Sequence, residues 1–137
     1  MNKRQYKAAL KVINNDCKIQ GSMLDLHNED GERFTVAEVC KSPATCAVGA
    51  LAFAAYDWKL NAKQQTLLAV AGNSQSGYFR PFAKRIQKKF GLDQVDLEQI
   101  IEANDDIADG PRAVVRRRAS VRHALKHIAL GTYKLKL

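Results

Sequence analysis

One continuous apolar run, AVGALAFAAY at residues 47–56, most constrains what this chain can fold into. Its ten residues are half of the roughly 20 that an α-helix needs to cross a bilayer, so no membrane span is expected. Ser42 offers an N-cap oxygen and Pro43 suits the first helical position, and together they predict a helix over residues 43–58. The small Ala and Gly side chains of the run indicate close packing against a neighbouring element.

The N-terminal sequence and the cysteines indicate the cellular compartment. The segment MNKRQYKAALKVINND is charged from its third residue and lacks the apolar stretch and cleavage site of a secretory signal, so we expect a cytoplasmic protein. Cys17, Cys40 and Cys46 cannot all pair within one chain, and we expect reduced thiols. Five residues separate Cys40 from Cys46, a wider gap than the roughly two to four usual between zinc ligands. The sequence therefore predicts no metal site, and we expect no cofactor.

Helical spacing and turn residues predict a mainly α fold, with about five helices in a single compact domain over residues 1–137. A domain of this length buries roughly two thirds of the surface that its unfolded chain exposes. The alternating stretches MLDL and RFTV, on either side of an Asp-Gly turn, predict a short β-hairpin near residues 22–37. The segment GNSQSG, at residues 72–77, is a flexible break at which two subdomains could meet.

Local capping signals place the later helices. A helix over residues 81–91 would end at Gly91, and Asp93 or Asp96 would cap the helix that follows. The Asp-Gly-Pro segment at residues 109–111 would end that helix and begin the last one, with the proline inside its first turn.

Charge is divided between two adjacent blocks near the C-terminus. Residues 93–109 contain seven acidic residues and no Lys or Arg, whereas residues 111–137 contain eight basic residues and no acid. The net charge of the whole chain is +8. Because blocks of opposite sign could fold against each other, the basic block need not be a binding surface.

The last predicted helix separates apolar from basic side chains. At about 100° per residue, Val114, Val121, Leu125 and Ile128 fall on one narrow stripe, which we expect to be buried. The opposite face is almost purely cationic, and the helix over residues 81–91 carries further basic residues. The residues that we expect to bind a nucleic acid or a protein partner are Lys84, Arg85, Lys88, Lys89, Arg112, Arg116, Arg122, His123, Lys126 and His127.

Three interpretations of this cationic helix are open from the sequence. It could bind nucleic acid through phosphates, with an affinity that falls as salt rises. It could be solvated or paired with the acidic block, each exposed pair contributing about 0 to 1 kcal/mol. It could also dock on an acidic protein surface, as an inhibitor would. The sequence shows no helix-turn-helix, RNA-recognition or zinc-finger signature, so sequence-specific readout is not expected.

A separate hypothesis makes Cys46 the nucleophile of an enzyme. Near the start of a helix, the partial positive charge of the helix N-terminus would favour its thiolate. Burial is the favoured interpretation, because free cysteine is among the most buried residue types and this one lies in an apolar helix. An enzyme would also need a base, from His27, His123 or His127, and an orienting group, from Asn104 or Asp105. The predicted set for an enzyme is Cys46, His123 and Asp105, and otherwise we expect no catalytic residue.

Four short motifs form a pattern that other proteins share. They are CAVGAL from Cys46, FGL from Phe90, IIEAND ending at Asp105, and a closing helix that begins PRAVVRRRASVRHAL. Together they resemble small bacterial and phage proteins of uncharacterised activity with the motifs Cys-x-x-Gly-Ala-Leu, Tyr-Gly-Leu and Asn-Asp; here Phe90 replaces the tyrosine. The resemblance covers residues 40–130 and implies a phage or mobile-element origin, in which case the compartment is the host cytoplasm. It implies no activity, and Cys46, Asn104 and Asp105 receive no roles from it.

Overall fold

Across residues 1–71 and 77–131, which the structure, a computed structural model, describes, the chain forms seven α-helices, a π-helical turn and two short strands. The predicted mainly α fold is confirmed, with more helices than expected. The predicted break at residues 72–77 lies, apart from Gly77, outside the described residues. In chain order the elements are α1 (Lys3–Lys11), the π-helical turn (Val12–Asp16), β1 (Lys18–Ile19), α2 (Val36–Lys41), β2 (Ala44–Thr45), α3 (Ala47–Ala55), α4 (Ala62–Val70), α5 (Arg80–Phe90), α6 (Gln94–Asp105) and α7 (Ala113–Ala129).

The apolar run forms α3, and every residue of this helix is buried. A helix that is apolar on all sides must be covered on all sides, and α3 packs against α5, α6 and the π-helical turn. It ends at Ala55, before the predicted end, because Asp57 and Trp58 take positive φ angles of 54° and 62°. None of the helices in the described ranges is long and apolar enough to cross a membrane.

The predicted start of this helix at Pro43 is wrong. Ser42 is the C-cap residue of α2 rather than the N-cap of α3. The next residues are extended because β2 runs parallel to β1, with Gln20 N donating a hydrogen bond to Thr45 O over 3.0 Å. Cys46, also extended at φ −69° and ψ 172°, is therefore the N-cap residue of α3. Pairing with β1 moves the start of the helix by about one turn, and it places the Cys46 side chain at the helix N-terminus.

The predicted hairpin is present only as a tight reversal of the chain. Phe34 N donates to Leu26 O over 2.8 Å, and His27 and Arg33 form a single antiparallel bridge. No longer ladder forms within the described part of this segment, because Thr35 immediately caps α2 in a reciprocal capping box. The two-stranded sheet of the protein is instead the parallel pair of β1 and β2.

Local caps begin and end the later helices largely as predicted. Gly91, at φ 64°, ends α5 in the left-handed conformation that glycine adopts readily. The Asp93 and Asp96 side chains accept hydrogen bonds from each other's backbone N–H at 2.8 and 2.9 Å, which forms the capping box of α6. The predicted position of Pro111 inside the last helix is wrong, because Arg112 takes φ 64° and α7 begins after it.

Helix α7 packs against α6 on one side and against α1 and the π-helical turn on another. Val121, Leu125 and Ile128 are buried as predicted, whereas Val114 is half-buried. Ser120 Oγ donates a hydrogen bond to a carbonyl of α6 over 2.7 Å. The helix that carries most of the arginines is thus held by neighbours on its apolar side.

Candidate nucleic-acid interface and the cavity at Cys46

Three helices hold most of the positive charge. Helices α1, α5 and α7 contain 14 of the 22 Lys and Arg residues and none of the 14 acidic residues. Helix α1 packs against both α5 and α7, so the three helices are neighbours in the fold. Ten basic side chains of this surface are exposed and have no ion-pair partner in the described part of the chain. We call them the basic face: Lys3, Arg4, Lys7, Lys11, Arg80, Lys84, Lys88, Arg112, Arg116 and Lys126.

Three arginines of α7 serve the fold rather than a partner. Arg117 is only 4% exposed, donates to Ile107 O over 3.0 Å and pairs with the Asp109 carboxylate. Arg118 Nη2 donates to the backbone oxygen of Cys17. Arg122, one of the predicted binding residues, is half-buried and donates to a side chain of the π-helical turn over 2.8 Å. The cationic content of α7 therefore overstates the charge that a partner would meet.

The outward side of α7 keeps three strong cations. Arg112, Arg116 and Lys126 are exposed, as the sequence predicts. His123 is exposed on the same helix, and its ring centroid lies 4.3 Å from that of the half-buried His127. Val115 is also 63% exposed. This side of the helix therefore combines basic and apolar residues and is not purely cationic.

The four predicted residues of α5 divide into two pairs. Lys84 and Lys88 are exposed members of the basic face. The Arg85 guanidinium lies 4.5 Å above the centroid of the Tyr56 ring, and Lys89 Nζ lies 3.7 Å from an Asp57 carboxylate oxygen. Arg85 and Lys89 are also exposed, and contacts of this kind at a surface are weak, so both still add to the positive potential.

The acidic block of residues 93–109 does not cover the basic face. It contacts α7 through α6 and through the Asp109 carboxylate, which pairs with the buried Arg117. Arg116 and Lys126 stay exposed beside it. Acidic and basic blocks therefore fold against each other at one side of α7, and the opposite side remains open.

Sequence reasoning missed the contribution of α1. This helix carries Lys3, Arg4, Lys7 and Lys11, all exposed, and it links the cations of α5 and α7. Gln5 Nε2 fixes it to α5 by donating to the backbone oxygen of Lys89 over 3.2 Å. The sequence did contain a signal for a basic α1, because no acidic residue precedes position 16 in the chain. No local feature of the sequence predicts that α1 packs against the two other basic helices.

A cavity of about 330 Å³ lies beside the start of α3. Its volume is at the lower end of the roughly 300 to 1,000 Å³ typical of small-molecule sites. We call it the Cys46 cavity. Its apolar walls include Met23, Val48, Ala69 and Ile101, and Cys46 and Asp105 add a thiol and a carboxyl group.

The environment of Cys46 opposes a thiolate. Burial raises the pKa of the Cys46 thiol and outweighs the opposite effect of the Val48 and Gly49 N–H groups at the start of α3, and the Asp105 charge raises it further. The Sγ atom contacts Met23 Sδ at 3.3 Å, as a thiol donor would. The helix N-terminus therefore does not activate this cysteine as the sequence suggested.

Asn104 is a tertiary cap rather than a cap of its own helix. It is buried, its Oδ1 accepts from Ala47 N over 3.0 Å, and its Nδ2 donates to Gln20 O over 3.0 Å. The Asn104 side chain of α6 thus provides an acceptor for an N–H group at the start of α3. It also links α6 to the segment after β1. Both polar groups of the amide are used by the fold.

The structure does not assemble the predicted catalytic set. Cys46 and Asp105 line the same cavity, but His123 does not, and no histidine lines it among the described residues. Burial and the neighbouring Asp106 raise the pKa of the Asp105 carboxyl. Within the same described ranges, no three His, Cys, Asp or Glu side chains are grouped so that they could hold a metal ion. The described lining of the cavity therefore places no histidine base beside the Cys46 thiol.

Alkylation of Cys46 by iodoacetamide at neutral pH is expected to be at least about tenfold slower in the folded protein than in the same protein unfolded in urea, because the raised pKa leaves less thiolate. Mass spectrometry of the Cys46 peptide during a time course measures this ratio. Alkylation that is faster in the folded protein would contradict the assignment of Cys46 as an unreactive thiol and would revive the enzyme hypothesis.

No protein-family model matches the chain, and no curated protein or solved structure matches it either. The resemblance to small bacterial and phage proteins stays a prediction. The function of the basic face is therefore inferred from its own charge and geometry.

Proposed function

We propose that this protein binds nucleic acid through the basic face, by contacts to phosphates and without catalysis. The observation that supports the proposal is the group of three packed helices, α1, α5 and α7, which contain no acidic residue and which, together with the N-cap residue Arg112, carry the ten exposed cations of the basic face. Neutralising phosphates with such side chains releases condensed counterions, which drives binding. A cytoplasmic location, and an origin in a phage or mobile element, belong to the same proposal.

The expected phosphate contacts hold the protein on the nucleic acid but do not recognise its base sequence. Lysine and arginine contacts to phosphate carry no base information. Arg117, Arg118 and Arg122 are excluded from the contact set because each is buried or half-buried and donates a hydrogen bond within the fold. Compared with the binding residues predicted on α5 and α7, the proposed interface loses Arg122 and gains the cations of α1.

Affinity for labelled DNA or RNA is expected to fall about 10³-fold or more between about 50 and 200 mM salt, as for proteins that make at least about six phosphate contacts. Fluorescence anisotropy with the purified protein measures it, using several unrelated sequences to test that affinity is the same for each. Absence of binding at the lower salt, or affinity that does not change with salt, would contradict the proposal.

An acidic protein surface is the second candidate partner. Val115 of α7 and the C-cap residue Leu130 are 63% and 69% exposed, and both favour it, because apolar contacts beside cations suit a protein interface better than phosphates. Under this alternative the protein would act as an interaction partner or inhibitor. Recovery of a stable complex from nuclease-treated lysate would support this alternative, and loss of the complex on nuclease treatment would exclude it.

A further inference from the structure

We propose that the Cys46 cavity binds a small molecule that carries an apolar group and a protonated amine, with the apolar group between Met23, Val48 and Ile101 and the ammonium at Asp105. The site is separate from the basic face. It is built from α3, α4, α6 and the segment after β1, whereas the basic face lies on α1, α5 and α7. The proposal therefore stands whether or not the protein binds nucleic acid.

The walls of the cavity determine the apolar part of the ligand. Met23, Val48, Ala69 and Ile101 leave a space of about 330 Å³, which suits a group the size of one aromatic ring with a short substituent. Met23 is half-buried and unbranched, so it can adjust to the shape of the group beside it. Burial of apolar surface would supply most of the affinity.

The polar atoms of the cavity determine which polar group the ligand carries. Asn104 is not available to a ligand, because both ends of its amide are bound to backbone groups at 3.0 Å. Cys46 is a neutral thiol in contact with Met23. Asp105 is exposed, and it is the one carboxyl group among the described lining residues. A hydrogen-bond donor with positive charge is the group that best complements it.

An anionic ligand is disfavoured in spite of the basic composition of the chain. No Lys, Arg or His lines the cavity in the described part of the protein. The Arg117 guanidinium lines the neighbouring cavity and is paired with Asp109, and its charge only partly offsets the rise in the pKa of Asp105. Burial next to Asp106 also disfavours the charged form of Asp105, and a bound cation would relieve this.

Three probes with the same ring and different head groups test the proposal: benzylamine, benzyl alcohol and benzoate. Each is titrated into the full chain labelled with ¹⁵N, and the backbone amide shifts of Gly21, Cys46 and Ala47 report binding at the cavity. Benzylamine is expected to bind about tenfold more tightly than benzyl alcohol, and benzoate most weakly. Equal binding of the three probes, or no shift of the cavity amides with any of them, would overturn the proposal.

Two matched substitutions assign the effect to Asp105. Asp105→Asn keeps the shape of the side chain and is expected to remove the tenfold advantage of benzylamine while leaving benzyl alcohol unchanged. The variant should fold, because the charge that it removes is disfavoured in the folded protein. Glu98→Gln makes the same change of charge at an exposed residue of α6 outside the cavity, and it should leave all three probes unaffected. Retention of the advantage in Asp105→Asn would contradict the proposal.

Discussion

Replacement of Asn104 by alanine is expected to destabilise the protein by about 3 kcal/mol, because it breaks two hydrogen bonds and leaves the Ala47 N–H and the Gln20 carbonyl without partners. Ala47 is fully buried in the intact protein, so its N–H depends on the Asn104 side chain for an acceptor. Urea unfolding monitored by circular dichroism gives the change in the free energy of unfolding. The same substitution at Asn28 is the matched control.

Asn28 also accepts two hydrogen bonds with its side chain, from the N–H groups of Asp30 and Glu32 at 3.0 and 2.9 Å. It is exposed, so water can take the place of its amide, and Asn28→Ala is expected to cost less than about 1 kcal/mol. Equal effects at the two positions would show that Asn104 does not act as a buried tertiary cap of α3.

Replacement of Gly49 by alanine is expected to destabilise the protein by about 2 kcal/mol, although alanine is normally favoured over glycine inside a helix by about 1 kcal/mol. A Cβ at this position would overlap Thr45 Oγ1 and lie 3.1 Å from Thr45 Cβ. Thr45 is fully buried and β-branched, so it has little room to move. Urea unfolding again provides the measurement.

Two further variants separate crowding from helix propensity. In a Thr45→Ala background the overlapping atoms are gone, and Gly49→Ala is expected to become neutral or stabilising by up to about 1 kcal/mol. Gly77→Ala, at a position where no atom of the described residues lies within 4 Å of the added Cβ, should change stability by less than about 0.5 kcal/mol. A Gly49→Ala effect that persists unchanged in the Thr45→Ala background would rule out crowding by this side chain.

Features that depend on neighbours in the chain could be predicted from the sequence. Gly91 ends α5 and Asp93 begins α6 because each acts on backbone groups within one helical turn. The start of α3 could not be predicted in this way. Residues 44–45 are extended because they pair with β1, about 25 residues earlier, and no local signal records that pairing.

In the candidate site, too, local features could be predicted from the sequence and long-range contacts could not. The exposed cations of α5 and α7 follow from helical periodicity, whereas the inward arginines do not. Arg118 bonds to the backbone oxygen of Cys17, about 100 residues earlier, and Arg122 bonds to Asn14. Their roles depend on how α7 packs against the π-helical turn. Charge counted along a sequence therefore overestimates a binding surface wherever long cations have acceptors inside the fold.

The most direct test of the account compares the nucleic-acid affinity of two triple variants with equal net charge. One combines Lys7→Gln, Lys88→Gln and Lys126→Gln, which removes one exposed lysine from each helix of the basic face. The matched control replaces three exposed lysines outside those helices by glutamine, at Lys41, Lys59 and Lys63.

Anisotropy titrations over a range of salt concentrations measure both the affinity and its salt dependence. If the basic face is the interface, the first variant loses about a hundredfold in affinity at low salt, and the slope of log affinity against log salt decreases by about 3 in magnitude. The control changes little. Equal losses in the two variants, or no loss in the first, would contradict the account.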